Sequence, residues 1–202
     1  MHLTHLIVDD FLPNPDAVRA EILKMPFPPR HADSVYPGRN AEHRLQFEGL
    51  EGLIGGLVHE TLTPKLQTAH AKPRMALDGD TSKISVYVDN CHWSAMIYLS
   101  LDEHCQGGTH FFEHLPTGWE MAPVFPGVAE EKGYPSAREA LEQILVNDGN
   151  DRSKWRETMT IPMTYNRLAL FRGYLWHDAG VSFGSRPETA RLILPFFFEK
   201  VG

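Results

Sequence analysis

Residues 83–114 read KISVYVDNCHWSAMIYLSLDEHCQGGTHFFEH, and the assignment of this stretch decides the fold. Three runs in it, KISVYVD (83–89), WSAMIYLS (93–100) and GTHFFEH (108–114), are rich in β-branched and aromatic residues. Turn formers such as Asn90 and the Gly107–Gly108 pair separate them, which is the signature of short strands. The same signature continues on both sides, in PRMALD before the stretch and in NRLALFRG and ARLILPFFFE after it. Strands in this order predict a core that is mainly β.

The flanking segments follow a helical period. In DDFLPNPDAVRAEILKM, Asn14 can cap a helix with Pro15 in its first turn, and Val18, Ile22 and Met25 share one face. Leu50, Leu53, Ile54, Leu57 and Val58 repeat at the spacing of an amphipathic helix that packs on something flat and apolar. Residues 116–162 start Pro- and Gly-rich and then give PSAREALEQILVN, where Ser136 and Glu139 form a capping-box pattern and Leu141, Ile144 and Leu145 a stripe. The expected organisation is one domain over 1–202. Residues 1–70 form an N-terminal helical support, and residues 71–202 a β core interrupted by a helical insertion at 116–162.

Composition narrows the function. The chain has 202 residues, 42% hydrophobic and 22% charged, enough for one sizeable core. A formal net charge of -7 without a Lys/Arg block excludes a phosphate-tracking surface, so nucleic acid is not an expected partner. No apolar run approaches the roughly 18 residues of a membrane helix. The start MHLTHLIVDDF lacks the regions of a signal peptide, so the expected location is cytoplasmic. Cys91 and Cys105 belong to no C-x-x-C pattern, and the predicted strand between them separates the thiols by about 20 Å. A disulfide needs Cα atoms within about 7 Å, so both are expected to be reduced.

Eleven histidines invite a search for metal ligands, yet neither H-E-x-x-H nor H-x-H occurs, which removes the zincin pattern and the usual cupin pattern. Asp89 ends one β run, and His177 follows another in LFRGYLWHDAG. Either alone reads as a turn or hydrogen-bonded residue, but a rolled antiparallel sheet can bring such distant positions to one rim. The order of features says more: Tyr87-Val88-Asp89, then Tyr98-Leu99-Ser100, Gly107-Gly108-Thr109, His177 and Arg191. This order resembles the iron(II)- and 2-oxoglutarate-dependent dioxygenases of the prolyl 4-hydroxylase-like branch. There H-x-D precedes a strand ending Tyr-Leu-Asn, followed by Gly-Gly, a distal His and a basic residue. DDFLPNPDAVRA and YPGR (36–39) further resemble a family of bacterial dioxygenase-like proteins often encoded near flavin-dependent tryptophan halogenases.

The resemblance implies a double-stranded β-helix, a jelly-roll or cupin-like barrel, with Fe(II) and 2-oxoglutarate as cofactors. It implies an oxygenase that hydroxylates a small-molecule or peptidyl substrate; the alternative is a non-catalytic binding module on the same barrel. Asp89 and His177 become metal ligands, since two His and one carboxylate on one face of iron leave positions for the keto acid and dioxygen. Tyr87 stands where the His of H-x-D belongs. The third ligand is therefore either His92, three residues beyond Asp89, or Tyr87 itself as a phenolate. Arg191 is the expected anchor for the far carboxylate of 2-oxoglutarate through a planar two-point contact, with Tyr98 offering a hydroxyl. Arg186 is closer to His177 but sits in GSRPE, a turn. His110 and His114 read as pocket or surface residues, and His31-Ala32-Asp33 as an H-x-D by letters alone in a loop that covers the substrate. Trp93, Phe111, Phe112, Tyr174 and Trp176 are candidates to line a substrate pocket.

Overall fold

The structure, a computed structural model, describes residues 3–31 and 34–202. In chain order the elements are β1 (His5–Val8), α1 (Pro15–Lys24), β2 (Arg39–Asn40), α2 (Leu50–Val58), β3 (Leu62–Pro64), β4 (Arg74–Ala76), β5 (Trp93–Tyr98) and β6 (Gly108–His114). They continue with α3 (Ala137–Asn147), β7 (Trp155–Pro162), β8 (Leu168–Arg172) and β9 (Arg191–Lys200). The fold is mainly antiparallel β. One sheet runs β1-β8-β5-β9-β4-β2 with β3 also on β9, and a second pairs β6 with β7. Isolated bridges from Phe111 to His177 and from His177 to Tyr87 carry the second sheet across to the segment before β5.

Alternation along the strands sorts the core into layers. Trp93, Ala95 and Ile97 of β5, with Leu192, Leu194 and Phe196 of β9, face Ile22 of α1 and Leu50, Ile54 and Val58 of α2. The opposite faces, through Tyr98, Phe171 and Ile193, meet Phe111 and Ile161 of the second sheet. Phe112, Trp155 and Trp176 then close on Ile144 of α3. Asn14 caps α1 by accepting from the Ala17 amide, and Ser136 caps α3 by accepting from the Glu139 amide at 3.2 Å, both as the sequence predicts. Both cysteines are free.

Three expectations change. KISVYVD forms no regular strand, because its amides go to separate segments: Val86 to the Gly149 carbonyl, Tyr87 to that of His177 and Asp89 to that of Gly173. The stretch 116–162 holds, besides α3, the whole of β7, which completes the second sheet against β6. WRETMTIP lacks the apolar signature of a strand because only Trp155 and Ile161 of its residues are buried. Finally, residues up to 70 are not only helical, since β1 extends the first sheet at β8 and β3 pairs with β9. Leu53 of the predicted apolar stripe is 55% exposed.

Candidate metal and anion site

Two reciprocal backbone bonds of 2.9 Å between Tyr87 and His177 fix their register, and the Asp89 amide donates to Gly173 at 2.8 Å. This brings Asp89 and His177 together between the sheets. Their side chains are 8% and 1% exposed, and His177 Nε2 lies 3.3 Å from Asp89 Oδ2. Ser94 Oγ donates to the same carboxylate oxygen at 2.6 Å.

The tautomer of His177 follows from its other nitrogen. Nδ1 is 2.8 Å from the Leu175 carbonyl, which can only accept, so Nδ1 carries the proton. Nε2 is buried and makes no hydrogen bond. A neutral ring would set a lone pair against a carboxylate at 3.3 Å, which is stable only with a cation between them. That cation is either a second proton or a metal ion. A second proton makes the two side chains an ion pair, and a divalent metal would find in the same two atoms two of its protein donors. In its absence, burial lowers the His177 pKa but Asp89 outweighs it and the net shift is upward. Burial likewise raises the Asp89 carboxyl, but His177, Ser94 and Arg74 hold it below its usual range.

Beside this pair, Arg74 and Arg191 line a narrow cavity of about 20 Å³ together with Tyr87, Thr109, His177 and Asp178. Arg191, the first residue of β9, is 3% exposed. Its Nε has no hydrogen-bond partner among the described residues. Gly180, at φ +73°, lets the chain pass over this guanidinium: a Cβ there would lie 3.0 Å from Arg191 Nη2 and 2.1 Å from the Gly108 carbonyl oxygen. Tyr98 is fully buried, and its hydroxyl shares a 2.7 Å hydrogen bond with Thr109 Oγ1, which places Thr109 rather than Tyr98 at the cavity wall.

Tyr87 packs edge-on against His177, ring centroids 4.6 Å apart, with Tyr36 4.9 Å behind it. Burial and the Asp89 charge hold its phenol well above the ordinary range, so without a metal it keeps its proton. His92, by contrast, is not brought to Asp89 and His177. Its Nε2 meets Glu60 Oε2 at 2.9 Å and Arg172 Nη1, on the helix-covered side of the first sheet. Among the described residues no three His, Cys, Asp or Glu side chains gather as a metal set.

The remaining candidates lie elsewhere. His110 Nδ1 pairs with Asp178 at 2.9 Å, and that bond raises its pKa despite burial. His114 is buried between Thr117 and Asp148, and Arg186 is exposed near Glu188. The motif His31-Ala32-Asp33 falls largely outside the described residues. None of the five candidate pocket aromatics lines the cavity; Trp93, Phe112 and Trp176 are core. Arg74 is not among the residues that the sequence pattern singles out, although a lone arginine inside the run PRMALD is a visible signal.

A family model described as a family of unknown function (DUF6445) matches residues 2–198. No curated protein matches the chain. Among solved structures, the chain is similar to a Pseudomonas putida prolyl-4-hydroxylase, with 15% identity, TM-score 0.44, and 98% of this chain and 94% of that one covered. It is also similar to HygX from Streptomyces hygroscopicus, solved with nickel and 2-oxoglutarate bound, with 12% identity, TM-score 0.44, and 97% and 82% covered.

Proposed function

The chain belongs to DUF6445, a family of unknown function, and we propose that it is an iron(II)- and 2-oxoglutarate-dependent oxygenase acting on a small-molecule or peptidyl substrate. The observation that carries this reading is the buried, unbonded Nε2 of His177 facing Asp89, with its tautomer already set by Leu175. Asp89 and His177 would hold the metal, and Tyr87, which lines the cavity and packs on His177, is the phenol we assign to join them. In this reading the two facing sheets are the halves of a double-stranded β-helix.

When bound, iron would activate dioxygen, the oxidant, with two of the electrons supplied by 2-oxoglutarate as it is decarboxylated to succinate and the other two by the substrate. The chain's own residues orient and exclude. Ser94 fixes the carboxylate of Asp89 by donating to Oδ2. The Leu175 carbonyl keeps the proton of His177 on Nδ1, so that Nε2 is free to bind metal. Arg191 offers its unpaired guanidinium to the far carboxylate of the cosubstrate. Phe171, Met96 and Ile193 wall the cavity with apolar surface and keep bulk water out.

A second reading is favoured by Tyr87 in place of a histidine and by the narrowness of the cavity. On it, the same barrel binds a small anion without turnover. Anaerobic titration with iron(II) and 2-oxoglutarate, followed by admission of dioxygen, separates the two. Metal uptake with succinate release supports the oxygenase. Anion binding with neither supports the binding module.

A further inference from the structure

The cavity carries one more cation than the proposed cosubstrate needs. Arg191 is assigned to 2-oxoglutarate, and Arg74 reaches the same cavity from the first residue of β4. Its Nε donates to Asn40 Oδ1 at 2.8 Å. Its guanidinium lies 4.8 Å from the centre of the Tyr36 ring. Its terminal nitrogens make no hydrogen bond or ion pair with the described residues. The two carboxylates nearby are committed, Asp89 to His177 and Ser94, and Asp178 to His110.

Arg74 also lines a second, outer cleft of 310 Å³. There it is joined by Arg30, Arg39 and Lys72, with Glu42 as the acidic side chain among the lining residues. Arg39 and Lys72 have no ion pair among the described residues. In a chain with a net charge of -7, four basic side chains against one acidic among the described lining residues make this cleft locally cationic. Clefts lined by one sign of charge concentrate ligands of the other.

Resting on the oxygenase reading, we propose that Arg74 binds a carboxylate of the primary substrate, so that the enzyme acts on small organic acids that enter through the Arg39–Lys72 cleft. The two arginines divide the anions: Arg191 takes the cosubstrate at the closed end, and Arg74 takes the substrate at the open end. The planar fork of Arg74, already oriented by Asn40 and Tyr36, leaves the geometry of a two-point contact with a carboxylate.

The test is ligand-observed NMR on the full chain saturated with zinc(II), a diamagnetic stand-in for iron, and with 2-oxoglutarate. The probes are benzoate, cyclohexanecarboxylate and N-acetylglutamate, each beside its uncharged primary amide. We expect each acid to bind about tenfold or more tightly than its amide. Arg74→Gln should bring the acids down to the amide level while leaving 2-oxoglutarate affinity in place, and Arg191→Gln should do the reverse. Asn40→Ala removes the side-chain partner of Arg74 without its charge and should retain most acid binding. Equal binding of acids and amides, no acid binding at millimolar concentration, or loss of 2-oxoglutarate on Arg74→Gln would each overturn the assignment. Should 2-oxoglutarate fail to bind the wild type, the oxygenase reading falls, and the acid panel run without it still decides Arg74.

Discussion

Two groups of buried and half-buried charged side chains lie on opposite faces of the first sheet, each built around a carboxylate, a histidine and arginine. On the helix side, Glu60 accepts from Trp93 Nε1 at 2.7 Å, meets His92 at 2.9 Å and takes both terminal nitrogens of Arg172 at 3.1 Å. Arg172 Nε donates to the Leu3 carbonyl, and its guanidinium stacks 3.9 Å from the centre of the Trp93 ring. Here every charge has a partner. Between the sheets, Asp89, His177, Arg74 and Arg191 leave two buried nitrogens, His177 Nε2 and Arg191 Nε, with none. A buried polar group without a hydrogen bond costs free energy that a ligand can return. Trp176 Nε1 and His5 Nε2 are also buried and unbonded among the described residues, so what marks the site is that His177 and Arg191 share one cavity.

The sharpest way to break this contrast is to remove metal ligands. Asp89→Ala and His177→Ala should each lower iron(II) affinity by about a hundredfold or more, as loss of a direct ligand exceeds the effect of loss of an outer one. Both variants should still unfold cooperatively near the metal-free wild type, read by circular dichroism. Unfolded variants would instead make this pair structural.

The next effect falls on the closed cluster. Glu60→Ala should cost about 2 kcal/mol of stability through lost charge-assisted bonds while leaving iron binding unchanged. Acid adds a second measure. Burial raises the Glu60 carboxyl, but its donors Arg172, Trp93 and His92 outweigh that and hold it at about 2, against an ordinary 4.5. A depressed carboxyl stabilises fully above its unfolded value, and that contribution is lost as the pH falls from 4.5 through about 2. Stability against pH should therefore be flatter in that window for Glu60→Gln than for wild type. Parallel curves would mean that Glu60 is not the group being titrated.

The contrast also explains what the sequence could and could not reveal. β5, β6, β8 and β9 were legible because a strand buried on both faces reads as a continuous apolar and aromatic run, as in FRG-ended LALF and in RLILPFFF. The meeting of Asp89 with His177, and of His177 with Arg191 at one cavity, follows the order of these residues around such strands. His92 was misplaced because sequence distance from Asp89 says nothing about the face of the sheet. The chain turns at Asn90–Cys91, and His92 then points to Glu60, which follows the C-terminal end of α2. β7 and Arg74 were missed for a shared reason: each takes its meaning from a neighbour brought by topology, β6 for the one and the cavity for the other.

Within the open site, Arg191→Leu should weaken 2-oxoglutarate binding by about tenfold to a hundredfold, the loss of a charge-assisted two-point contact, with iron affinity within a factor of about two. Calorimetry on the iron-loaded, anaerobic protein reads both. Equal loss of the two ligands would mean that Arg191 supports the metal pair instead of the cosubstrate.

The smallest effect tests the residue that joins the two halves of the comparison. His92 belongs to the closed cluster, so His92→Ala should leave iron affinity unchanged and lower stability modestly. Tyr87 belongs to the open one, and Tyr87→Phe keeps the ring that packs on His177 and Tyr36 while removing only the hydroxyl. If the phenol binds metal, Tyr87→Phe should weaken iron by a few fold and abolish the phenolate-to-iron(III) colour of the oxidised protein. Metal binding must then overcome the burial and the Asp89 charge that hold the phenol protonated, which is why the expected gain from this ligand is small. Tyr87→His supplies an imidazole at the same position without that proton cost, so iron affinity should rise if Tyr87 is a weak substitute. A colourless oxidised wild type, together with unchanged affinity in Tyr87→Phe, would leave Asp89 and His177 as the whole protein contribution to the metal. A loss of iron in His92→Ala would erase the distinction between the closed and the open cluster altogether.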